Sequence, residues 1–138
     1  MENWREIVAD WQGDTTFIGE NTAGGKVQIG NLEAQPGLSP MELLLASLAG
    51  CTGSDVVSML IKQRQPLKAF KVRVRGKRRQ EQPRIYTEIE VEYLLWGIGL
   101  EPKRVERAVT LSREKYCSVS AMLEPSASIR FIYKIIEE

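Results

Sequence analysis

The chain has 138 residues, of which 43% are apolar and 27% charged, with a net charge of +1; this fits one globular domain over 1–138 and makes nucleic acid a poor partner. The histidine count is zero, which excludes Cys–His and Ser–His nucleophile pairs and imidazole metal sites. Two cysteines fall short of the roughly four N or S ligands of a zinc site, so no metal or cofactor is expected.

The first residues, Met1-Glu2-Asn3-Trp4-Arg5-Glu6, lack the basic-then-apolar order of a signal peptide. The longest uncharged apolar run, 43–54, is shorter than the about 20 residues that span a bilayer. The expected location is cytoplasmic, with no membrane contact. Segments 7–11, 15–19 and 26–30 are short apolar stretches separated by Gly13-Asp14 and Ala23-Gly24-Gly25. They read as a small antiparallel meander. A loop over 31–38, with Pro36 and Gly37, follows.

Ser39-Pro40-Met41-Glu42 is a helix start. Ser39 is the N-cap, Pro40 takes the first helical position, and Glu42 is placed to close a capping box. The helix is predicted to run to about Gln63, ahead of Pro66. Leu43, Leu44, Leu45 and Leu48 surround its first half, and a helix apolar on all sides is a buried one. In so small a chain, a second copy could complete that burial.

Segments 70–79 and 85–95 alternate polar and apolar residues and read as two long hairpin strands around Gln80-Glu81-Gln82-Pro83. Ile85, Thr87, Ile89, Val91 and Tyr93 are assigned to one face of the second strand. Glu101-Pro102 opens a second helix with a stripe of Val105, Ala108, Val109 and Leu111, ending near Lys115. Segment 116–123 is a connection of one or two helical turns. Ile129 to Ile136 is a closing strand.

The chemistry-bearing residues are the cysteines. Cys51 lies midway along the long helix between Gly50 and Gly53. Each helical glycine costs about 1 kcal/mol relative to alanine, which points to a need for space there. Asp55, four residues on, shares the Cys51 face. Cys117 precedes a possible helical turn whose free N–H groups would favour a thiolate. Both cysteines could equally be small buried hydrophobes, and spacing alone does not establish a pairing. Glu42 is accounted for by capping. Tyr116 and Trp96 are accounted for by packing, and Arg107 by solvation.

The segment Leu38-Ser39-Pro40-Met41-Glu42-Leu43-Leu44-Leu45-Ala46-Ser47-Leu48-Ala49-Gly50-Cys51-Thr52-Gly53-Ser54-Asp55-Val56-Val57 resembles the signature helix of the OsmC/Ohr family, the osmotically inducible and organic hydroperoxide resistance proteins. Val105-Glu106-Arg107-Ala108-Val109-Thr110-Leu111-Ser112-Arg113-Glu114-Lys115-Tyr116-Cys117-Ser118-Val119 resembles its second cysteine region, and 83–93 the strand before it. The resemblance implies an α+β fold in which two swapped subunits form a homodimer, with long central helices wrapped by antiparallel sheets from both chains. It implies a thiol-dependent peroxide reductase acting on an organic hydroperoxide. Cys51 would be oxidised to a sulfenic acid and resolved as a disulfide with Cys117. A thiol or dihydrolipoyl reductant would restore both, with Glu42 as a further catalytic residue. The family's glutamate lies ten residues before the first cysteine, where this chain has Met41; Glu42 is nine before. No arginine occurs over 13–25, where the family places its activating arginine; Lys26 and Arg5 are the cations nearest that hairpin. Two other functions suit the same residues. One is a non-catalytic dimer that binds a small apolar ligand or partner. The other is a thiol redox sensor.

Overall fold

The computed structural model describes residues 3–138, which divide into two compact units meeting at Leu44/Leu45. The N-terminal unit is the expected meander. Strands β1 (Ile7–Trp11), β2 (Phe17–Asn21) and β3 (Lys26–Ile29) pair antiparallel in that order. β2 begins two residues later than the apolar pattern suggests. Gly13 (φ 103°) and Asp14 (φ 50°) take left-handed conformations, and Gln12 N–H donates to Thr16 C=O at 2.8 Å, so the turn absorbs Thr15 and Thr16. β3 ends where Gly30 adopts φ 86°. The unit closes on the first residues of helix α1 (Pro40–Lys62).

The C-terminal unit carries the rest of α1, then β4 (Ala69–Arg78), β5 (Tyr86–Trp96), α2 (Pro102–Leu111), a π-helical turn (Ser112–Tyr116), α3 (Ser118–Leu123) and β6 (Ser128–Ile136). β5 is the central strand of its sheet, antiparallel to β4 and parallel to β6. Parallel neighbours need a crossover rather than a hairpin; α2, the π turn and α3 provide it. The fold class is therefore α+β with two sheets, as expected, but the second sheet is mixed where antiparallel sheets were expected, because the crossover returns β6 parallel to β5.

Alternation sorts the two faces of this sheet. Ile89, Val91, Tyr93 and Leu95 are buried. Glu88, Glu90 and Glu92 face the other way between basic residues of the flanking strands. Arg73 and Lys134 reach Glu92 at 3.8 and 3.3 Å, and Arg75 reaches Glu90 at 2.9 Å. Arg130 also pairs with Glu90, and Lys77 lies 3.8 Å from Glu88. The basic run after Phe70 is thus one side of an ion-pair ladder. Glu90 and Glu92 are largely covered while their basic partners are exposed; the Lys77–Glu88 pair, exposed on both sides, contributes roughly 0–1 kcal/mol.

The expected face of β5 fails at its start. The register skips a residue between Lys77 and Arg78. A bulge of this kind shifts the alternation, so Tyr86 is buried and Thr87 exposed. The Tyr86 ring lies so close over Gly76 that a Cβ there would sit 2.5 Å from it.

Helix α1 buries one side only. Leu48, Thr52, Gly53, Val56 and Leu60 are the buried residues. Leu44 is 39% exposed, so the apolar first half is not fully covered within one chain, and Ile61 in the last turn is 63% exposed. α1 also passes Ser54 without interruption, so its apolar length exceeds the uncharged run. By length and composition alone it could cross a membrane. Leu48, Thr52, Gly53, Val56 and Leu60 bury one side of it within the chain.

Candidate functional site

The thiols of Cys51 and Cys117 approach each other in the C-terminal unit closely enough for Cys51 to raise the Cys117 thiol. Both cysteines are free; Cys51 is half-buried and Cys117 buried. Three elements bring them together: α1 carries Cys51, α2 feeds the π turn, and the π turn delivers Cys117 to the start of α3.

Gly53 explains how α1 approaches the sheet. A Cβ there would lie 3.2 Å from Val72 Cγ2, tighter than an ordinary contact, so a side chain would push the helix away from β4. Gly50 differs. A Cβ at that position meets nothing within 4 Å, so the second glycine beside Cys51 has no packing reason within the chain.

Next to Cys51, the Thr52 hydroxyl is 2.6 Å from Tyr93 Oη on β5 and 2.8 Å from Ser112 Oγ at the first residue of the π turn. Ser112 Oγ donates to Asp55 Oδ2 at 2.8 Å. Thr52, Tyr93 and Ser112 are each fully buried. Burial pushes the Tyr93 phenol up to about 12. Asp55 shares a helix face with Cys51, as predicted, and its observed partner is Ser112.

At Cys117 two effects compete. It is the N-cap of α3, and its sulfur accepts from Ser120 N–H at 3.4 Å, which favours the thiolate as the helix start suggests. Burial outweighs this, and the contact with Cys51 adds to it, so the thiol is pushed above its ordinary value of 9.0. The neutral form is thus the one the fold favours. Its contribution to stability is present below about pH 9 and is lost as pH rises through the raised value.

Glu42 lies in the N-terminal unit. Its Oε1 accepts from Ser39 N–H at 2.9 Å while Ser39 Oγ accepts from Glu42 N–H at 3.2 Å. This is the predicted capping box. The Ser39 bonds hold the carboxyl below its usual range. Trp96 is half-buried beneath Lys71, and Tyr116 is half-exposed beside Lys115. Arg107 is exposed.

The sequence reading missed Thr52, Tyr93 and Ser112. A signal for Ser112 was present. The inward stripe of α2 runs Val105, Ala108, Val109 and then Ser112, all buried, whereas the expected Leu111 is only half-buried. A serine continuing an apolar stripe must find a partner inside. The expected helix to Lys115 also changes character: α2 ends at Leu111 and a π turn follows.

A thiol pair on a long central helix and a helical crossover defines an OsmC-type fold. Residues 32–131 match the OsmC-like protein family model, and the chain belongs to that family. It is 38% identical over 126 residues to Protein YhfA of Escherichia coli strain K12, covering 91% of this chain and 94% of YhfA. A crystallised hypothetical protein from Aquifex aeolicus VF5 superposes with a TM-score of 0.89 at 39% identity, covering 99% of each chain. The organic hydroperoxide resistance protein OhrB of Bacillus subtilis shares the fold, with a TM-score of 0.63 at 16% identity over 96% of this chain and 98% of that one.

The raised Cys117 value is directly measurable. In a Cys51→Ser variant, where Cys117 is the sole thiol, burial remains as the larger cause. The pH midpoint of its alkylation by iodoacetamide is expected above 9.0. A midpoint at or below that value contradicts the assignment.

Proposed function

We propose that the protein is a thiol-dependent reductase of organic hydroperoxides. The supporting observation is that two free thiols, Cys51 and Cys117, lie near enough to act on one another. Closeness of the two thiols is the first requirement for a disulfide between them. Cys51 is the more exposed of the two and is assigned the attack. Its thiolate sulfur bonds to one peroxide oxygen, the O–O bond breaks, and the alkoxide leaves as the alcohol after taking a proton. The Cys51 sulfenic acid is then attacked by the Cys117 sulfur; the S–S bond forms and water leaves. Two electrons pass from the thiol pair to the peroxide. A thiol or dihydrolipoyl reductant returns them and becomes a disulfide itself. Immediate condensation protects Cys51 from the irreversible sulfinic state.

The family includes proteins named for organic hydroperoxide resistance, which agrees with this chemistry. Glu42 is assigned to holding the first turn of α1. No nucleic acid, membrane, metal or cofactor enters the scheme, and the reducing cytoplasm is the compartment in which such a pair could be recycled.

The working form is assigned as a homodimer joined through α1. Gly50 carries this assignment: a helical glycine costs about 1 kcal/mol, and no atom of its own chain needs the space. Ala46, Ser47, Gly50, Ser54 and Ser58 are exposed at helical spacing and form a narrow face on which a second helix can lie.

Two experiments test the proposal. With one equivalent of an organic hydroperoxide, the wild type is expected to lose both thiols to one intrachain disulfide within minutes. Cys117→Ser should stop at a trappable Cys51 sulfenic acid, and Cys51→Ser should consume no peroxide. Peroxide consumption by Cys51→Ser would remove the assignment. For the dimer, Gly50→Leu is expected to fold and to sediment as a monomer where the wild type sediments as a dimer. A wild-type monomer, or an undisturbed Gly50→Leu dimer, would contradict it.

A further inference from the structure

We propose that Ser112 is a positioning residue for the thiol pair. It ties the backbone of Cys117 to the turn of α1 that carries Cys51, and so sets the effective concentration of one sulfur at the other. This rests on the dithiol reading above and extends it to a residue outside the sulfur chemistry.

Ser112 touches both cysteine segments at once. Its carbonyl accepts from Cys117 N–H at 2.7 Å, closing the π turn. Its hydroxyl lies 2.8 Å from Thr52 Oγ1, on the residue that follows Cys51, and 2.8 Å from Asp55 Oδ2 one turn later. The side chain is fully buried, so water cannot substitute for either bond. π turns are rare and are frequently found at functional sites.

The proton order follows from counting hydrogens. The single hydroxyl hydrogen of Ser112 goes to Asp55, so Thr52 must donate to Ser112. The hydrogen of Thr52 is then spent, so Tyr93 must donate to Thr52. The chain therefore has one polarity, from Tyr93 through Thr52 and Ser112 to the Asp55 carboxylate. Removing the Ser112 hydroxyl strands the Thr52 donor without its acceptor and releases the α1 turn from the π turn. Disulfide geometry tolerates little of that freedom, since Cβ atoms must lie roughly 3.5–4.5 Å apart.

The test is the exchange equilibrium with glutathione. Protein dithiol and glutathione disulfide give protein disulfide and two glutathione thiols. One S–S bond forms as another breaks, and two electrons and two protons pass to glutathione. No peroxide is involved. A wild type that forms no intrachain disulfide here overturns the dithiol reading itself. A wild type that forms one, with an unchanged Ser112→Ala constant, overturns only the role of Ser112.

Ser112→Ala is expected to lower the equilibrium constant about fivefold or more, the scale of one buried hydrogen bond. Tyr93→Phe removes an equally buried hydroxyl but leaves the Ser112–Thr52 and Ser112–Cys117 bonds, and is expected to change it less than about twofold. Equal shifts in the two variants would reduce Ser112 to general packing and overturn the proposal. Thr52→Val cuts the same link from the α1 side with nearly the same shape. It should reproduce the fall even if Ser112→Ala is insoluble, and an unchanged constant there also overturns the proposal.

Discussion

A buried hydroxyl costs free energy unless its hydrogen bonds are made, and Thr52 makes its bonds only where α1, β5 and the π turn converge. That requirement fixes more than one residue. It sets the rotation of α1, because the turn that points Thr52 inward also presents Gly53 to Val72 and lines up Val56 and Leu60 with the core. It sets the depth of the π turn, because Ser112 must reach between Thr52 and Asp55. Cys51 precedes Thr52, and the Ser112 carbonyl holds Cys117. The meeting of the two thiols is a consequence of satisfying this one buried polar chain. Among the described residues, no buried side-chain nitrogen or oxygen lacks a partner.

The sheet beneath supports the same point. β5 is its central strand, and Tyr93 lies on the apolar face with Phe70 and Phe131 stacked to either side. The opposite face of β5 holds Glu90 and Glu92 between basic residues. One strand thus contributes a rigid hydroxyl to the interior and a row of charge partners to the exterior. The parallel pairing of β5 with β6 obliges the chain to cross over, and the crossover is where Cys117 is carried.

Much of this was legible in the sequence. Period-two alternation located β4, β5 and β6 to within a residue at each end, and Ser39, Pro40 and Glu42 located the start of α1. The resemblance in the two cysteine blocks led to the fold class and the family. What stayed hidden has specific causes. The bulge at Lys77/Arg78 shifts the face of β5 with no residue to announce it. The parallel partner of β5 depends on a crossover path that local pattern does not encode. The π turn hides inside a run that continues to look helical. Thr52, Tyr93 and Ser112 are individually ordinary; their importance lies in a contact across three elements. The Cys117 environment was half legible: the helix start was foreseen, but the burial that outweighs it was not.

The account stands on the two sulfurs being held for bond formation within one chain. The most direct measurement is a crystal structure of the protein after one equivalent of an organic hydroperoxide. The prediction is a Cys51–Cys117 bond inside each chain, with Ser112 still bonded to Thr52 and to the Cys117 backbone. Over-oxidised Cys51 beside an untouched Cys117 thiol would contradict it.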